Sequence, residues 1–235
     1  MTSIRSTPDV LPLAVAEVVL PPGHPQAGEM LAIVAHVVTH RDGVLLFDTG
    51  VGEGNAEIDE VFRPRRVPLQ VALAGHGISM ADVTAVANCH LHFDHSGQNA
   101  RFPGVPIFAQ RAEHAMIHAP DYTIAEWVDF PRATYELLDG EAEIAPGIRV
   151  VPTPGHSPGH QSLVVAADAE TVVVAGQALL TKAEWEGSSD PAVSGEVGSW
   201  DEDAYRASVA RLLSLDPDRV HFAHDPAVWQ RPAGV

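Results

Sequence analysis

Short blocks of Val, Leu and Ile recur along the chain, and most of them end at a Pro, Gly or Asp. An apolar run of about four to eight residues bounded by such turn residues is typical of a β-strand that is covered on both faces. These blocks predict strands at residues 13–20, 31–38, 44–47, 84–88, 105–109, 148–151, 162–166, 171–175 and 220–222.

Other stretches have the spacing of helices. Helices are predicted at residues 68–74 and 110–118, and a third opens at the capping-box signature Ser-Trp-Asp-Glu, residues 199–202. Its apolar face carries Tyr205, Val209, Leu212 and Leu213. The polar stretches 52–67 and 181–198 are predicted to be loops at the mouth of a site. Two groups of strands with helices between them predict a single α/β domain, residues 1–235, built as a four-layer αββα sandwich.

The composition is that of a folded protein, with 46% hydrophobic and 19% charged residues. The 31 acidic residues outnumber the 14 basic residues, so the formal charge is −17. Nucleic acids and anionic membranes are therefore excluded as partners, because both bind basic surfaces.

The chain has no apolar run that approaches the length of a membrane span, and its first nine residues do not form a signal peptide. A cytoplasmic location is therefore expected. Cys89 is the only cysteine, so no intrachain disulfide can form. Strand neighbours point to opposite faces, so we expect the Cys89 thiol to be buried behind His90.

Three imidazoles and a carboxylate fall within six residues at 90–95, His-Leu-His-Phe-Asp-His. On an extended turn, His90 and His92 can face one divalent metal ion, while Asp94 and His95 face a second. The alternative is a solvated His-rich loop, which this constrained spacing disfavours.

Further metal ligands are expected from two other segments. His156 lies in the stiff turn Thr-Pro-Gly-His-Ser-Pro-Gly-His, residues 153–160, directly after a predicted strand. His221 and His224 lie three apart at the last strand, so they point to opposite faces and only one of them is expected to be a ligand.

The motifs at 90–95 and 153–163, together with Phe-Asp-Thr-Gly at 47–50, Gln-Arg-Ala-Glu-His at 110–114 and His-Asp at 224–225, resemble those of the metallo-β-lactamase superfamily. Within it, the chain is most similar to the N-acyl homoserine lactone lactonases, which are quorum-quenching enzymes. The resemblance implies that His90, His92 and His156 hold one metal, and that Asp94, His95 and His224 hold the other.

The resemblance also implies a chemistry. Two divalent ions, zinc first with manganese, iron or cobalt as alternatives, share a bridging hydroxide that attacks a carbonyl. Asp94 orients this nucleophile and protonates the leaving alkoxide, so it is the expected catalytic residue. Asp48 and His160 are expected to support the ligands from outside. The expected partner is a small-molecule substrate, and a homodimer would match the usual assembly of the family.

Two positions depart from the family pattern. The family has an Asp that bridges the metals after the strand at 171–175, but this chain has Gln177. Gln177 is expected to lie at the metal site as a neutral amide, so metal binding is expected to be weaker or unequal. Three residues later the lactonases have a Tyr that hydrogen-bonds the substrate carbonyl, whereas this chain has Leu180, which is expected to form part of the substrate wall.

Three functions remain open from the sequence. The first is the opening of a lactone ring, the second is hydrolysis of another ester, thioester, amide or β-lactam in the same site, and the third is a homologue that binds metal or ligand without catalysis. Gln177 and Leu180 motivate the third.

Overall fold

The computed structural model describes residues 7–188 and 200–232. Within them the chain forms two sheets and a set of short helices. The strands are β1 Asp9–Val19, β2 Met30–His40, β3 Gly43–Phe47, β4 Arg65–Arg66, β5 Val83–Ala87, β6 Pro106–Gln110, β7 Thr134–Leu138, β8 Ala142–Ala145, β9 Ile148–Pro152, β10 Gln161–Ala167, β11 Glu170–Val174, β12 Arg219–His221 and β13 Trp229–Gln230. The α-helices are α1 Ala56–Val61, α2 Leu69–Ala74, α3 Phe93–Ser96, α4 Arg111–His114, α5 Ala125–Val128, α6 Lys182–Gly187 and α7 Glu202–Ser214.

Both sheets are mixed. The first has the order β4-β1-β2-β3-β5-β6-β7, in which β3, β5, β6 and β7 run parallel. The second has the order β13-β12-β11-β10-β9-β8, in which β11 and β12 are the parallel pair. A parallel pair requires a crossover connection, and α7 lies in the crossover between β11 and β12.

The side-chain alternation of β3 shows how the layers stack. Val44 and Leu46 point outward and join the cluster that contains the helical residues Ile58 and Leu73. Leu45 and Phe47 point inward and meet the second sheet at residues such as Leu163 and Val174. On the far side, residues of the second sheet pack against Val209 and Leu212 of α7. The predicted αββα sandwich is therefore confirmed.

Two predicted loops contain helices. Residues 52–67 include α1, where the Asn55 side chain accepts from Ile58 N, and they also include β4. Residues 181–198 include α6, where the Thr181 side chain accepts from Glu184 N, and residues 189–199 lie outside the described part. Each of these short helices is stabilised by one side-chain cap and one buried apolar residue. A single apolar residue gives no periodic pattern, so the sequence does not predict these helices.

Other boundaries also differ from prediction. The helix predicted at 110–118 ends at His114. The N-cap of α7 is Asp201, whose carboxylate accepts from the backbone N–H groups of Asp203 and Ala204, and Ser199 lies outside the described residues. Strands β7, β8 and β13 were not predicted. Each of them is an edge strand, and partial exposure removes the apolar run that marks a buried strand.

The candidate ligands follow strand ends at one edge of the sandwich. Asp48 follows β3, His90 follows β5, His156 follows β9, Gln177 follows β11 and His224 follows β12. In the described part of the chain, no helix has the length and apolar character to cross a membrane.

Candidate metal centre

The turn after β5 presents its polar side chains in two directions. His92 has an extended backbone and is the N-cap of α3, and its carbonyl accepts from the backbone N–H groups of His95 and Ser96. His90 and His92 therefore lie on extended chain, whereas Asp94 and His95 lie on the first helical turn. This change of backbone conformation separates the four side chains into two pairs.

Three histidines converge on one point. His156 Nε2 lies 3.1 Å from His90 Nε2 and 3.1 Å from His92 Nδ1. His90 is fully buried and the other two are partly buried. Burial and the neighbouring His156 together lower the pKa of His92 to about 3, although Asp94 opposes them, while burial and His95 hold the pKa of His90 well below 6.5. His90 and His92 are therefore neutral, which is the form that binds a metal.

A second group lies beside the first. Asp94 Oδ2 is 3.3 Å from His95 Nε2 and 3.9 Å from His224 Nε2. Burial raises the pKa of Asp94, but the facing His95 and His224 outweigh burial and hold it well below its ordinary value. Burial and His95 lower the pKa of His224 to about 4. The group therefore offers a carboxylate and a neutral imidazole.

The orientation of His95 is set by Asp48. Asp48 ends β3 in the left-handed region at φ 66°, and its Oδ1 accepts from Cys89 N at 2.8 Å. Its Oδ2 lies 3.0 Å from His95 Nδ1, so His95 Nε2 is the atom that faces Asp94. Burial lowers the pKa of His95, but Asp94, Cys89 and Asp48 outweigh burial and raise it well above 6.5. A carboxylate on the outer nitrogen is the usual support for a ligating histidine.

Gln177 reaches the second group. Its side-chain Oε1 lies 3.1 Å from His95 Nε2, and its backbone N–H donates to His160 Nε2 at 2.9 Å. His160 is fully buried, and its Nδ1 lies 2.9 Å from the Thr153 hydroxyl. His160 therefore supports the loop at Gln177, while its own ring nitrogens are engaged.

The donor set fits a divalent cation at each group, and His95 would release its proton on binding one. His224 Nδ1 donates to the Ala32 carbonyl at 2.9 Å, while its Nε2 is buried and has no hydrogen-bond partner among the described residues. His90 Nε2 and His92 Nδ1 both lie 3.1 Å from His156 Nε2, so a cation at this point would be bound by all three rings. Imidazole and carboxylate are the donors that zinc accepts.

Two further sets of donors share Cys89 and overlap with the two groups at His90 and His95. One consists of Cys89, His90 and His160, and the other of Asp48, Cys89 and His95. Cys89 is buried, as predicted, and its Sγ lies 3.1 Å from His90 Nδ1 and 3.3 Å from His95 Nδ1. Burial, and then Asp48, raise the pKa of this thiol above its ordinary value, so it is protonated and contacts the outer nitrogens of both ligands.

The remaining histidines lie apart from the site. His221 points away from His224, as predicted, and its ring lies 5.4 Å from that of His36. His118 is exposed, whereas His114 is half-buried against the Tyr135 ring, with 4.7 Å between the ring centres. Leu180 borders the second group through its backbone, because its carbonyl accepts from His224 N.

A cavity of about 380 Å³ opens beside both groups. His92 and Asp94 line it, and more of its other lining residues are apolar than polar. The other lining residues are Glu57, Ile58, Val61, Phe62, Phe93, Asp121, Tyr122, Thr123 and Ile124. Sequence reasoning missed this wall, because α1 and residues 121–124 come together only in the fold.

Comparison with known proteins decides the family. The model of the metallo-beta-lactamase superfamily matches residues 29–224. The chain belongs to the metallo-beta-lactamase superfamily. An N-acyl homoserine lactonase from a Bacillus species is 30% identical over 217 residues, which is 84% of either chain.

Solved structures of the superfamily share the fold. A mutant of the Bacillus thuringiensis lactonase AiiA, with N-decanoyl-L-homoserine bound at its active site, matches with a TM-score of 0.78 at 23% identity and covers 94% of both chains. AidC, described as a dizinc quorum-quenching lactonase, matches with a TM-score of 0.65 at 20% identity and covers 88% of this chain and 81% of its own. The protein is thus a metallo-hydrolase of the superfamily, with two candidate metal-binding groups.

Proposed function

We propose that the protein is a dinuclear metal-dependent hydrolase that opens the ring of an N-acyl homoserine lactone or a closely similar neutral lactone. His90, His92 and His156 would hold one ion, and Asp94, His95 and His224 the other, with zinc as the first choice. Divalent ions bound by such donors polarise a carbonyl and lower the pKa of coordinated water towards about 7.

The residues that line the cavity support the choice of an acyl lactone as substrate. Its apolar residues suit an acyl chain, and its charged residues are the three acids Glu57, Asp94 and Asp121. None of the described lining residues is Lys or Arg. A neutral acyl lactone suits this wall better than a β-lactam or a glutathione thioester, because both of those carry carboxylates that would meet like charge.

The residues of the chain divide the remaining work. Asp94 belongs to the second group and also lines the cavity, where its carboxylate can accept the proton of the attacking water and pass it to the leaving alkoxide. Gln177 offers a neutral amide oxygen beside His95, in place of the family's carboxylate. Leu180 offers no hydroxyl to a substrate carbonyl, so the polarising contact falls to the ions.

Lactone opening releases a carboxylic acid, so a pH indicator measures it directly. Zinc-loaded protein is assayed with N-acyl homoserine lactones of four to twelve acyl carbons, and a β-lactam and a glutathione thioester serve as comparison substrates. We expect lactone turnover that a chelator abolishes, and His92→Ala lowers kcat/KM by at least about 10²-fold because one ion loses a ligand.

The matched control is His76→Ala, which replaces an exposed histidine that does not line the cavity and leaves turnover unchanged. Turnover of the thioester or β-lactam without any lactone turnover would favour the second hydrolase function. Loaded protein that hydrolyses none of these substrates contradicts the proposal and favours a metal-binding homologue without catalysis.

A further inference from the structure

Glu113 is a buried carboxylate that no metal group contains. It lies on α4 and is 1% exposed, and all four hydrogen bonds to its carboxylate come from residues outside that helix. Burial of a carboxylate is costly unless its oxygens are hydrogen-bonded, so these hydrogen bonds stabilise Glu113 in its buried position.

One oxygen of Glu113 holds the turn that carries the first ligands. Oε1 accepts from Leu91 N at 2.8 Å, and Leu91 is the residue between His90 and His92. The same oxygen accepts from the Tyr122 hydroxyl. The Tyr122 ring packs edge-on against His92, with 4.7 Å between the ring centres, and it also lines the cavity.

The other oxygen of Glu113 holds the loop that carries His156. Oε2 accepts from the Ser157 hydroxyl at 2.7 Å and from Gly159 N at 3.0 Å. Gly159 is required for this approach, because a Cβ there would lie 2.2 Å from Glu113 N. The backbone of the loop is thus drawn against the start of α4.

We propose that Glu113 is a positioning residue of the three-histidine site, which locks the turn of His90 and His92 to the loop of His156. Sixty-odd residues separate these two segments in the chain, and no hydrogen bond between the ligand rings themselves would survive metal binding. This role rests on the proposed metal-dependent function, in which Glu113 raises the metal affinity of the three-histidine group.

Both oxygens of Glu113 must be acceptors. Each takes one backbone N–H and one hydroxyl, and a hydroxyl can rotate to accept but a backbone N–H cannot. In Glu113→Gln the amide NH₂ faces either Leu91 N–H or Gly159 N–H, whichever way the amide turns. One of the two ligand segments is therefore released.

The test measures zinc affinity by chelator competition in the full chain. It uses the His224→Ala background, in which the three-histidine group retains all of its donors and the second group does not. We expect Glu113→Gln to weaken zinc binding about 10–100-fold and to change the visible absorption of the cobalt-substituted protein, as loss of an outer support typically does.

Asp218→Asn is the matched control. It replaces a carboxylate that accepts from the backbone N–H of Thr171, at the opposite end of β11 from the site, with an amide. We expect it to lower the unfolding temperature while zinc affinity changes less than threefold. Equal zinc affinities for Glu113→Gln and Asp218→Asn would overturn the proposal.

A milder variant covers the case in which Glu113→Gln does not fold. Ser157→Ala removes one hydroxyl donor and keeps the carboxylate, so we expect a severalfold loss of zinc affinity, and an unchanged affinity contradicts the proposal. These readouts involve no substrate. Zinc-loaded wild type that opens no lactone therefore rejects the proposed function alone, whereas wild type that binds no zinc rejects both.

Discussion

The side-chain oxygen of Gln177 lies 3.1 Å from Nε2 of His95, on the same side of the imidazole ring as Asp94. An amide at this position brings an oxygen to the second metal group without bringing charge. Asp94 is then the one carboxylate of the two groups proposed to hold metal. A neutral oxygen binds a divalent cation more weakly than a carboxylate does, so the second ion is expected to bind more weakly than it would with a carboxylate at this position.

Gln177→Asp should therefore tighten the second site. A carboxylate beside His95 would add a negative charge to the second group, so we expect zinc content under a competing chelator to rise towards two equivalents per chain. Elemental mass spectrometry measures this directly. Gln177→Asn is the matched control, because it has the length of Asp without its charge. If both variants bind equal amounts of zinc, charge is not the property that limits the site.

His224 and His221 provide a paired test of ligand assignment. Both are buried and lie three residues apart, but only His224 turns its free nitrogen towards Asp94. His224→Phe should lower the zinc content by about one equivalent, whereas His221→Phe should leave it unchanged. A loss of zinc in His221→Phe would show that the second ion lies elsewhere.

The pair of His36 and His221 should make the fold sensitive to acid. Neither ring has a hydrogen-bond partner among the described residues, and the two rings are perpendicular with 5.4 Å between their centres. Burial, and then Arg219, lower the pKa of His221 to about 4, while Asp9 opposes them. Burial, His221 and His95 hold the pKa of His36 well below 6.5.

A lowered pKa means that the unfolded chain binds the proton more tightly than the folded chain. Stability is therefore fully present above about pH 6.5 and is lost as the pH falls towards 4. His221→Phe removes the part of this loss that His221 causes. Between pH 7.5 and pH 5, the free energy of unfolding should therefore fall by about 1–2 kcal/mol less in this variant than in wild type.

Urea unfolding of chelator-treated protein at the two pH values measures the difference. The exposed residue His76 supplies the control, because His76→Phe removes a histidine without removing a buried one. Parallel pH dependence of His221→Phe and wild type would show that His221 is not protonated on unfolding.

The cavity should set the preference for acyl-chain length. Each methylene that enters an apolar wall contributes up to about 0.8 kcal/mol, or about fourfold in kcat/KM. Ile124→Trp fills part of the cavity, so we expect about tenfold lower kcat/KM for a ten-carbon acyl lactone and little change for a four-carbon one. Val71→Trp, at a position that is 56% exposed, controls for the added ring. Equal losses for both chain lengths would place the acyl chain elsewhere.

The sequence was sufficient wherever the signal is local. The six residues at 90–95 carry four candidate donors on one turn, and the backbone change at His92 divides them into two pairs, as their spacing predicts. Buried strands such as β3 and β11 are equally local, because an apolar run between turn residues suits little else. The alternation at the last strand likewise separated His221 from His224.

Only the tertiary structure decided the features that depend on contacts between distant segments. The partners of Glu113 come from two separate loops, one with Leu91 and the other with Ser157 and Gly159, and no sequence spacing encodes their meeting. The same holds for the pairing of His36 with His221, which the packing of the two sheets brings about. The short helices α1 and α6 belong here as well, since one buried side chain against the fold stabilises each of them more than their own propensity does. Local sequence determines which side chains can bind and how each strand alternates, whereas packing of the sheets determines which of those side chains meet.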